Sequence, residues 1–432
     1  MKGPTSLFFT PSEPIKSLAA LFLAWKGFLL AIALTASLVP DYDTSTSLFF
    51  DRAYGAEARV PVLATALTRW DALYFVQSSR RGYVFEQEWA FGAALPRLAR
   101  VVADALPCCR AVPALEPVVA IGLAHLSHWI AVMALHRLTM VISADAERAL
   151  VVSALHIVSP AGLFLSAPYA ESPFAALSFI GFLLFAVGIK IECRRTLATV
   201  CAGLVLGLAT AFRSNGLANG LLFAVEALDC FANLARRPSV GSSLALVASL
   251  VGGVCVALGS AIPQAVAWRR FCLDSSPGLE PRPWCSRTLP SIYTYVQGHY
   301  WNVGFLRYWT LNQLPLFLLA TPMLTILISS GLAVLRNPLS VLKSVECRPP
   351  EDYRKFVRTL AAVQVLVAAL AITNYHVQVI SRLSSGFPVW YWWVADCIID
   401  RRKQTRGRAM VVFMIMYAGV QGGLFACFLP PA

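Results

Sequence analysis

Apolar segments of about twenty residues recur along this chain, and they constrain its fold more than any other feature. A helix of that length crosses the ~30 Å hydrocarbon core of a bilayer. Only 14% of the 432 residues are charged and 57% are hydrophobic, whereas a soluble domain carries roughly 25% charged residues. This balance excludes a soluble domain and predicts an integral membrane protein.

The spans are expected to be helices. No stretch alternates apolar and polar residues over ~10 positions in the repeated way that a membrane barrel requires, and a helix satisfies its own backbone groups in lipid. We therefore predict an all-α polytopic membrane protein with about eleven transmembrane helices. The predicted spans are 17–39, 114–135, 149–167, 172–190, 196–212, 216–233, 243–268, 313–335, 357–377, 386–400 and 409–428.

The basic residues give the orientation of these spans. The formal net charge is +13, but the basic residues lie in compact clusters between apolar segments, which argues against nucleic acid as a partner. In the alternating count these clusters share one side, which is cytoplasmic by the positive-inside rule. The clusters are Lys190, Arg194 and Arg195; Arg236 and Arg237; Lys343, Arg348, Arg354, Lys355 and Arg358; and Arg401, Arg402, Lys403, Arg406 and Arg408.

The two longest polar loops, 40–113 and 269–312, fall on the opposite side, which is the lumen in a eukaryotic secretory membrane. Two features fit this count of spans poorly. Alternating the sides of the membrane places Arg213 on the lumenal side, and Pro388 interrupts the short span 386–400. Either is compatible with a re-entrant segment, which would leave nine spans.

The ends and loops of the chain give further expectations. The apolar segment 17–39 is too long for the core of a cleaved signal peptide, so it is expected to remain as a signal anchor with a cytoplasmic N-terminus. Without an internal repeat or a long linker, residues 1–432 are expected to form one membrane domain. In the first loop, 59–67 and 92–105 carry apolar residues at helical spacing, which predicts helices lying in the membrane interface.

The cysteines predict one disulfide and no zinc site. None of the eleven cysteines forms a C-x-x-C pair at metal spacing. Cys272 and Cys285 share the second long loop, where oxidising conditions permit a bridge.

Asp71 stands in the most unusual stretch of the first long loop, Thr68 to Ala72, and Glu86 follows it after a Gly-Tyr pair. An acid beside Trp70 is compatible with catalysis, but an isolated Trp-Asp pair is more often a helix N-cap. Asp41 and Asp43 have the spacing to grip a divalent cation, although acids that follow a span are more often simply solvated.

Further polar groups stand at or inside apolar segments, where ionisable residues are costly and therefore suggest function. The alternative is a single Glu-Arg ion pair inside the bundle. The string from His299 to Phe305 is aromatic, which suits either stacking on sugars or a position at the membrane interface. The polar residues are Tyr169, Glu171 and Ser172; Arg213, Ser214 and Asn215; and Asn374, His376 and Arg382.

These groups share the lumenal side, which suits a lipid with a sugar-phosphate headgroup. The same residues would serve a lipid or solute transporter, although a transporter predicts an inverted repeat that the sequence lacks.

The order of the motifs resembles the GPI mannosyltransferase 2 (phosphatidylinositol-glycan class V) family of endoplasmic reticulum enzymes, and fungal members most. The strings that carry this resemblance span most of the chain. They are Arg69-Trp70-Asp71, Gly82-Tyr83, Tyr169-Ala170-Glu171-Ser172, Arg213-Ser214-Asn215-Gly216, His299-Tyr300-Trp301-Asn302-Val303-Gly304-Phe305 and Arg382-Leu383-Ser384-Ser385-Gly386.

The resemblance implies a GT-C glycosyltransferase fold and a lumenal reaction that uses dolichyl-phosphate mannose. The implied product carries the second mannose of the GPI precursor, in α1,6 linkage to the first. Because the donor is β-linked, the step inverts the anomeric centre. No cofactor is implied, the need for a divalent metal stays open, and a small accessory membrane subunit is an expected partner.

By resemblance Asp71 is the candidate base, positioned by Trp70 and Arg69. Arg213 or Arg382 is our candidate for steadying the leaving phosphate, because a guanidinium fork matches phosphate oxygens. Where family members often read Tyr-Glu-His after the Gly-Tyr pair, this chain reads Phe85-Glu86-Gln87, so Glu86 is kept as a second catalytic carboxylate. The expected substrate-binding residues are Tyr169, Glu171, Arg213, Asn215, His299, Tyr300, Trp301, Asn302 and Arg382.

Overall fold

The computed structural model describes residues 13–106, 112–274, 282–341 and 351–429, and every regular element in these ranges is helical. The α-helices are α1 (Pro14–Ala36), α2 (Ser45–Tyr54), α3 (Val62–Leu67), α4 (Ala72–Arg81), α5 (Ala94–Asp104), α6 (Leu115–Ser143), α7 (Ala146–Ile157), α8 (Glu171–Lys190), α9 (Arg195–Phe212), α10 (Gly220–Arg236), α11 (Val240–Trp268), α12 (Ile292–His299), α13 (Leu314–Arg336), α14 (Glu351–Thr373), α15 (Ile380–Leu383), α16 (Pro388–Ile399) and α17 (Gln404–Ala426).

Within the described ranges, nine helices are long and apolar enough to cross a membrane. They are α1, α6, α8, α9, α10 with the turn before it, α11, α13, α14 and α17. The predicted all-α polytopic class is thereby confirmed.

The predicted full-length spans at 149–167 and 386–400 are wrong. The helices found there, α7 and α16, have 12 residues each, and at 1.5 Å per residue they reach about 18 Å, well short of the ~30 Å core. Pro388 begins α16, because proline lacks the N–H that a preceding helical turn would need. The segments 158–170 and 374–387, whose regular structure is limited to short helical turns such as Gly162–Leu165 and α15, adjoin these two helices at the end nearest the long loops.

Protein surrounds the broken helices. The helices α7 and α16 pack against each other, and His156 Nδ1 lies 3.0 Å from the Tyr391 hydroxyl. Lys26 of α1 donates to the Leu165 carbonyl at 2.9 Å and to Ser166 Oγ at 2.7 Å. Irregular backbone at membrane depth is tolerated only where such partners enclose it.

Glycines bring α9 and α11 into close contact. A Cβ on Gly203 would overlap Gly252 of α11, and a Cβ on Gly207 would lie 2.4 Å from the Cys255 carbonyl oxygen, so only glycine fits. Small residues spaced four apart allow this approach between membrane helices. The packing fixes the end of α9, where Arg213 follows Phe212.

The first long loop folds into short helices. The predicted helices at 59–67 and 92–105 are confirmed as α3 and α5, with shorter bounds, and α5 buries Leu95 and Ala99 while exposing Arg97 and Arg100. The sequence did not predict α2 or α4. The predicted Cys272–Cys285 disulfide of the second loop is confirmed.

The ends of the spans that carry the basic clusters form their own ion pairs. Arg195 binds Asp352 and Glu226, each at 2.8 Å, and Lys355 binds Asp229 at 2.6 Å. Two residues of the predicted basic clusters, Lys343 and Arg348, lie outside the described residues.

Candidate active site

A cavity of about 530 Å³ lies where the long loops meet the ends of the spans. Its lining comes mainly from both long loops, from the segments 158–170 and 374–387, and from the turn after α9. The lining residues are Trp70, Asp71, Tyr74, Phe75, Ala90, Phe91, Gly92, Phe164, Tyr169, Phe212, Arg213, Ser214, Asn215, Tyr293, Gln297, Trp301, Leu316, Tyr375, His376, Gln378, Val379, Arg382 and Leu383.

A buried carboxylate joins the two arginines of this cavity. The side chain of Glu171, at the start of α8, is 1% exposed and forms ion pairs with Arg213 and with Arg382, whose Nε donates to Glu171 Oε1 at 2.7 Å. Arg213 Nε also donates to Asn215 Oδ1 at 3.2 Å. The predicted alternative of one Glu-Arg pair is therefore too simple, because one carboxylate holds two guanidinium groups.

Asp71 completes this charge network. Arg382 Nη1 donates to Asp71 Oδ2 at 3.0 Å, and the Asp71 side chain remains 35% exposed at the cavity. Asp71 does occupy the N-cap position of α4, but its side chain makes no capping hydrogen bond. The carboxylate faces the cavity instead of the helix terminus, so the N-cap interpretation does not account for this residue.

Aromatic rings and carboxylates keep Arg382 charged. Its guanidinium carbon lies 4.6 Å and 4.7 Å from the ring centroids of Phe164 and Tyr169. Burial opposes the charge, but the carboxylates of Glu171 and Asp71 outweigh it and raise the pKa of Arg382 above its usual value. The side chain is a permanent cation at the cavity wall.

Trp70 and Arg69, which precede Asp71 in the chain, are fixed by contacts of their own. Trp70 has a φ of 54°, a left-handed conformation that bulky residues seldom adopt and that often marks functional sites, and its ring packs against Phe428 at 5.0 Å. The Arg69 guanidinium binds both oxygens of Asp41, at 2.8 and 2.7 Å, and its carbonyl accepts a 3.0 Å hydrogen bond from the Tyr169 hydroxyl.

The acids Asp41 and Asp43 have separate partners. Asp41 is the ion-pair partner of Arg69, and the Ser45 N–H donates to Asp43 Oδ1 at 2.6 Å. Both contacts hold the segment that precedes α2.

Neutral side chains of the second long loop form part of the cavity wall. Tyr293 and Gln297 are four residues apart on one face of α12, and Trp301 follows that helix. The Trp301 ring lies 5.7 Å from Phe91 and 6.3 Å from His376. We call Tyr293, Gln297 and Trp301 the second-loop wall.

The structure does not bring every predicted residue to this cavity. Glu86 is buried elsewhere, where it accepts hydrogen bonds of 2.8 Å from Trp284 Nε1 and from the Tyr300 hydroxyl. His299 is exposed and stacks on Tyr295 at 4.8 Å, and the exposed Asn302 forms a turn with a φ of 51°. Among the predicted site residues, Asp71, Trp70, Tyr169, Arg213, Asn215, Trp301 and Arg382 do line the cavity.

Sequence reasoning missed several lining residues. Tyr74 lies one helical turn after Asp71, so the i,i+3 spacing was a usable signal, and its ring stacks on Phe91 at 4.9 Å. Tyr293 and Gln297 lie in a loop that gave no sign of a helix, and Gln378 follows the polar stretch that ends α14.

The fold and this site together define a polytopic membrane protein with a charged, aromatic-lined cavity at one end of its helices. The profile of the family described as "Mannosyltransferase (PIG-V)" matches residues 20–432. The chain belongs to this mannosyltransferase (PIG-V) family.

Individual relatives agree with this assignment. The chain is 54% identical to "GPI mannosyltransferase 2" of Gibberella zeae, over 98% of each chain. It is 31% identical to "GPI alpha-1,6-mannosyltransferase 2" of Cricetulus griseus, over 80% of this chain and 75% of that protein.

Among solved structures, the Archaeoglobus fulgidus oligosaccharyltransferase crystallised with Zn and sulfate matches 94% of this chain and 53% of that chain, with a TM-score of 0.45 and 14% identity.

Proposed function

We propose that this chain transfers mannose from dolichyl-phosphate mannose to the first mannose of the GPI precursor, in α1,6 linkage. The observation that carries the mechanism is the contact of Arg382 with both Asp71 and Glu171, at 3.0 and 2.7 Å, in the wall of one cavity. The α1,6 linkage rests on the family and on the relatives' names.

Asp71 serves as the general base. A direct displacement at the anomeric carbon requires removal of the proton from the acceptor hydroxyl while the new bond forms. Asp71 is the carboxylate of the network that keeps an exposed edge at the cavity, whereas Glu171 is buried beneath the two arginines. Trp70 and Arg69 hold the turn that presents Asp71.

Arg213 and Arg382 steady the leaving phosphate. The phosphate gains negative charge as its bond to the sugar breaks, and fixed guanidinium groups stabilise that charge in a site with little water. The two arginines are balanced by Glu171 and Asp71, so the network is neutral before the donor enters. Glu171 orients both arginines without facing the substrate.

The second-loop wall suits the sugar of the acceptor. Tyr293 and Trp301 offer aromatic faces on which a mannose ring stacks, and the Gln297 amide has both a donor and an acceptor for sugar hydroxyls. The charged side of the cavity then receives the donor phosphate, and the reacting sugars meet near Asp71.

Family membership also supports a location in the endoplasmic reticulum membrane, with the cavity on the lumenal side, and action together with a small accessory membrane subunit. The proposed reaction uses the lipid donor as a substrate and no cofactor. The transporter alternative finds no support in the family or in the relatives.

The test uses membranes from cells that lack the second-mannose step and express this chain. The membranes receive labelled dolichyl-phosphate mannose and the singly mannosylated glycolipid. The proposal predicts a labelled two-mannose product that an α1,6-specific mannosidase cleaves. A well-expressed chain that forms no such product, also when the accessory subunit is coexpressed, would refute it.

A further inference from the structure

Glu86, although remote from the cavity, connects the two long loops. Its side chain is 4% exposed, and each of its carboxylate oxygens accepts one hydrogen bond. Oε1 binds the indole N–H of Trp284 and Oε2 binds the hydroxyl of Tyr300, both at 2.8 Å. Trp284 and Tyr300 flank α12, so one first-loop residue holds the second loop on both sides of that helix. We call Glu86, Trp284 and Tyr300 the interloop clasp.

A disulfide braces the same side of α12. Cys285 follows Trp284 directly and is bonded to Cys272, in the turn at the end of α11. Trp284 is fully buried, in a cluster with Tyr83, Trp89 and Tyr295. The covalent bond therefore fixes the clasp tryptophan to the end of a membrane helix.

The clasp lies next to the second-loop wall. Tyr300 immediately precedes Trp301, and Tyr293 and Gln297 lie on the helix between the two clasp contacts. On the first-loop side, Glu86 begins the turn Glu86–Ala90, after which Phe91 and Gly92 line the cavity. Gly92 lies so close to the Phe212 carbonyl that a Cβ there would overlap it, so this turn is seated against the end of α9.

We propose that the interloop clasp and the Cys272–Cys285 disulfide position the second-loop wall for the acceptor sugar, which makes acceptor binding dependent on the oxidised state of this loop. This inference rests on the proposed function. Glu86 is then a positioning residue, because it forms no ion pair with Arg213 or Arg382 and does not line the cavity.

The chemistry of the clasp matches a positioning role. Burial and the hydrogen bond to Glu86 raise the pKa of Tyr300 to about 12, so its hydroxyl remains a donor at neutral pH. Arg282 lies 3.8 Å from Glu86, at the exposed edge of the clasp. A hydrogen bond to a charged group contributes more than one between neutral groups.

The kinetic test compares Tyr300→Phe with Tyr54→Phe. Tyr54, in α2, donates a 2.8 Å hydrogen bond to Glu116 in the first turn of α6, so the control removes the same kind of bond away from the cavity. For Tyr300→Phe we expect the acceptor KM to rise about 10-fold or more while the donor KM is unchanged, since one hydrogen bond to a charged group corresponds to roughly that factor. The control is expected to leave both KM values unchanged.

The redox test uses Cys272→Ser/Cys285→Ser. This variant is expected to show a raised acceptor KM without reductant, and dithiothreitol is expected to raise the acceptor KM of wild type but not of the variant. An unchanged acceptor KM in both Tyr300→Phe and the double variant overturns the inference. So does a rise in donor KM as large as that in acceptor KM.

A third measurement does not depend on enzymatic activity. It therefore separates a failure of this inference from a failure of the proposed function. Amide hydrogen exchange of the peptide covering 292–299 is expected to be roughly 5-fold faster in Tyr300→Phe than in Tyr54→Phe, because the end of α12 loses one anchor. Equal exchange overturns the positioning role. A wild type that forms no two-mannose product but shows the faster exchange in Tyr300→Phe refutes the proposed function and leaves the clasp in place.

Discussion

Arg382 and Asp71 are 311 positions apart in the chain and are joined by a 3.0 Å hydrogen bond at the cavity wall. The contact brings together a short turn of the first long loop and the short helix α15. Because the same guanidinium also binds the buried Glu171, the position of the proposed base depends on an arginine held in turn by a second carboxylate.

Replacing Arg382 by lysine tests this dependence. Lysine keeps the charge but loses the fork that binds Asp71 and Glu171 at once. We expect kcat to fall roughly 100-fold, the effect of losing one well-placed donor at a developing negative charge. The comparison is Arg402→Lys, at an exposed position of a basic cluster. Comparable kcat values for the two variants would show that the fork is dispensable.

Glu171→Gln is expected to destabilise the protein. The substitution leaves two neighbouring guanidinium groups with only Asp71 as counterion, and removing one partner of a buried ion pair typically costs about 3–5 kcal/mol. The matched control is Glu351→Gln, because Glu351 is 64% exposed and pairs with Arg354 at 3.2 Å, a type of contact that contributes about 0–1 kcal/mol. Thermal unfolding in detergent measures both, and equal midpoints would contradict the buried network.

His376 gives the protein an acid-sensitive component of stability. Burial lowers the pKa of this cavity residue below its usual value, and Arg382 adds to the effect, although Asp71 opposes it. The unfolded chain therefore binds more protons than the folded one between the lowered pKa and about 6.5, and this contribution to stability is lost as the pH falls through that window. It is fully present above about pH 6.5.

The measurement compares unfolding midpoints at pH 7 and pH 5. For His376→Gln we expect a smaller difference between the two midpoints than for wild type, while His299→Gln, at an exposed position, is expected to match wild type. A His376→Gln variant that loses as much stability in acid as wild type would contradict the assignment.

The sequence predicted the class of fold well because long apolar segments admit few structures in a bilayer. It failed at α7 and α16, since hydropathy counts apolar residues and does not detect where a helix breaks. Pro388 marked one break in advance. Pro160 likewise follows the break after Ile157, and Lys26, more than a hundred residues away, donates hydrogen bonds to the segment beyond it.

The candidate site was predictable in part. Asp71, Arg213 and Arg382 stand out because charged groups are rare in such a chain, and the structure brings all three to one cavity. Glu86 stands out equally but is buried in the interloop clasp, because proximity in sequence to Asp71 does not fix where a loop side chain points. Tyr293 and Gln297 reach the cavity only through the fold of the second loop.

The variant Asp71→Asn tests most directly whether Asp71 is the base for mannose transfer. Asparagine keeps the size of the side chain and can still accept from Arg382, but it cannot take a proton. We expect the rate of mannose transfer to a singly mannosylated acceptor to fall by 10²-fold or more, with wild-type expression and a smaller drop in unfolding midpoint than in Glu171→Gln, because Asp71 is 35% exposed and Glu171 is 1% exposed. Asp51→Asn, at an exposed position of α2, is expected to keep its rate. A folded Asp71→Asn variant within about twofold of wild type would contradict the account.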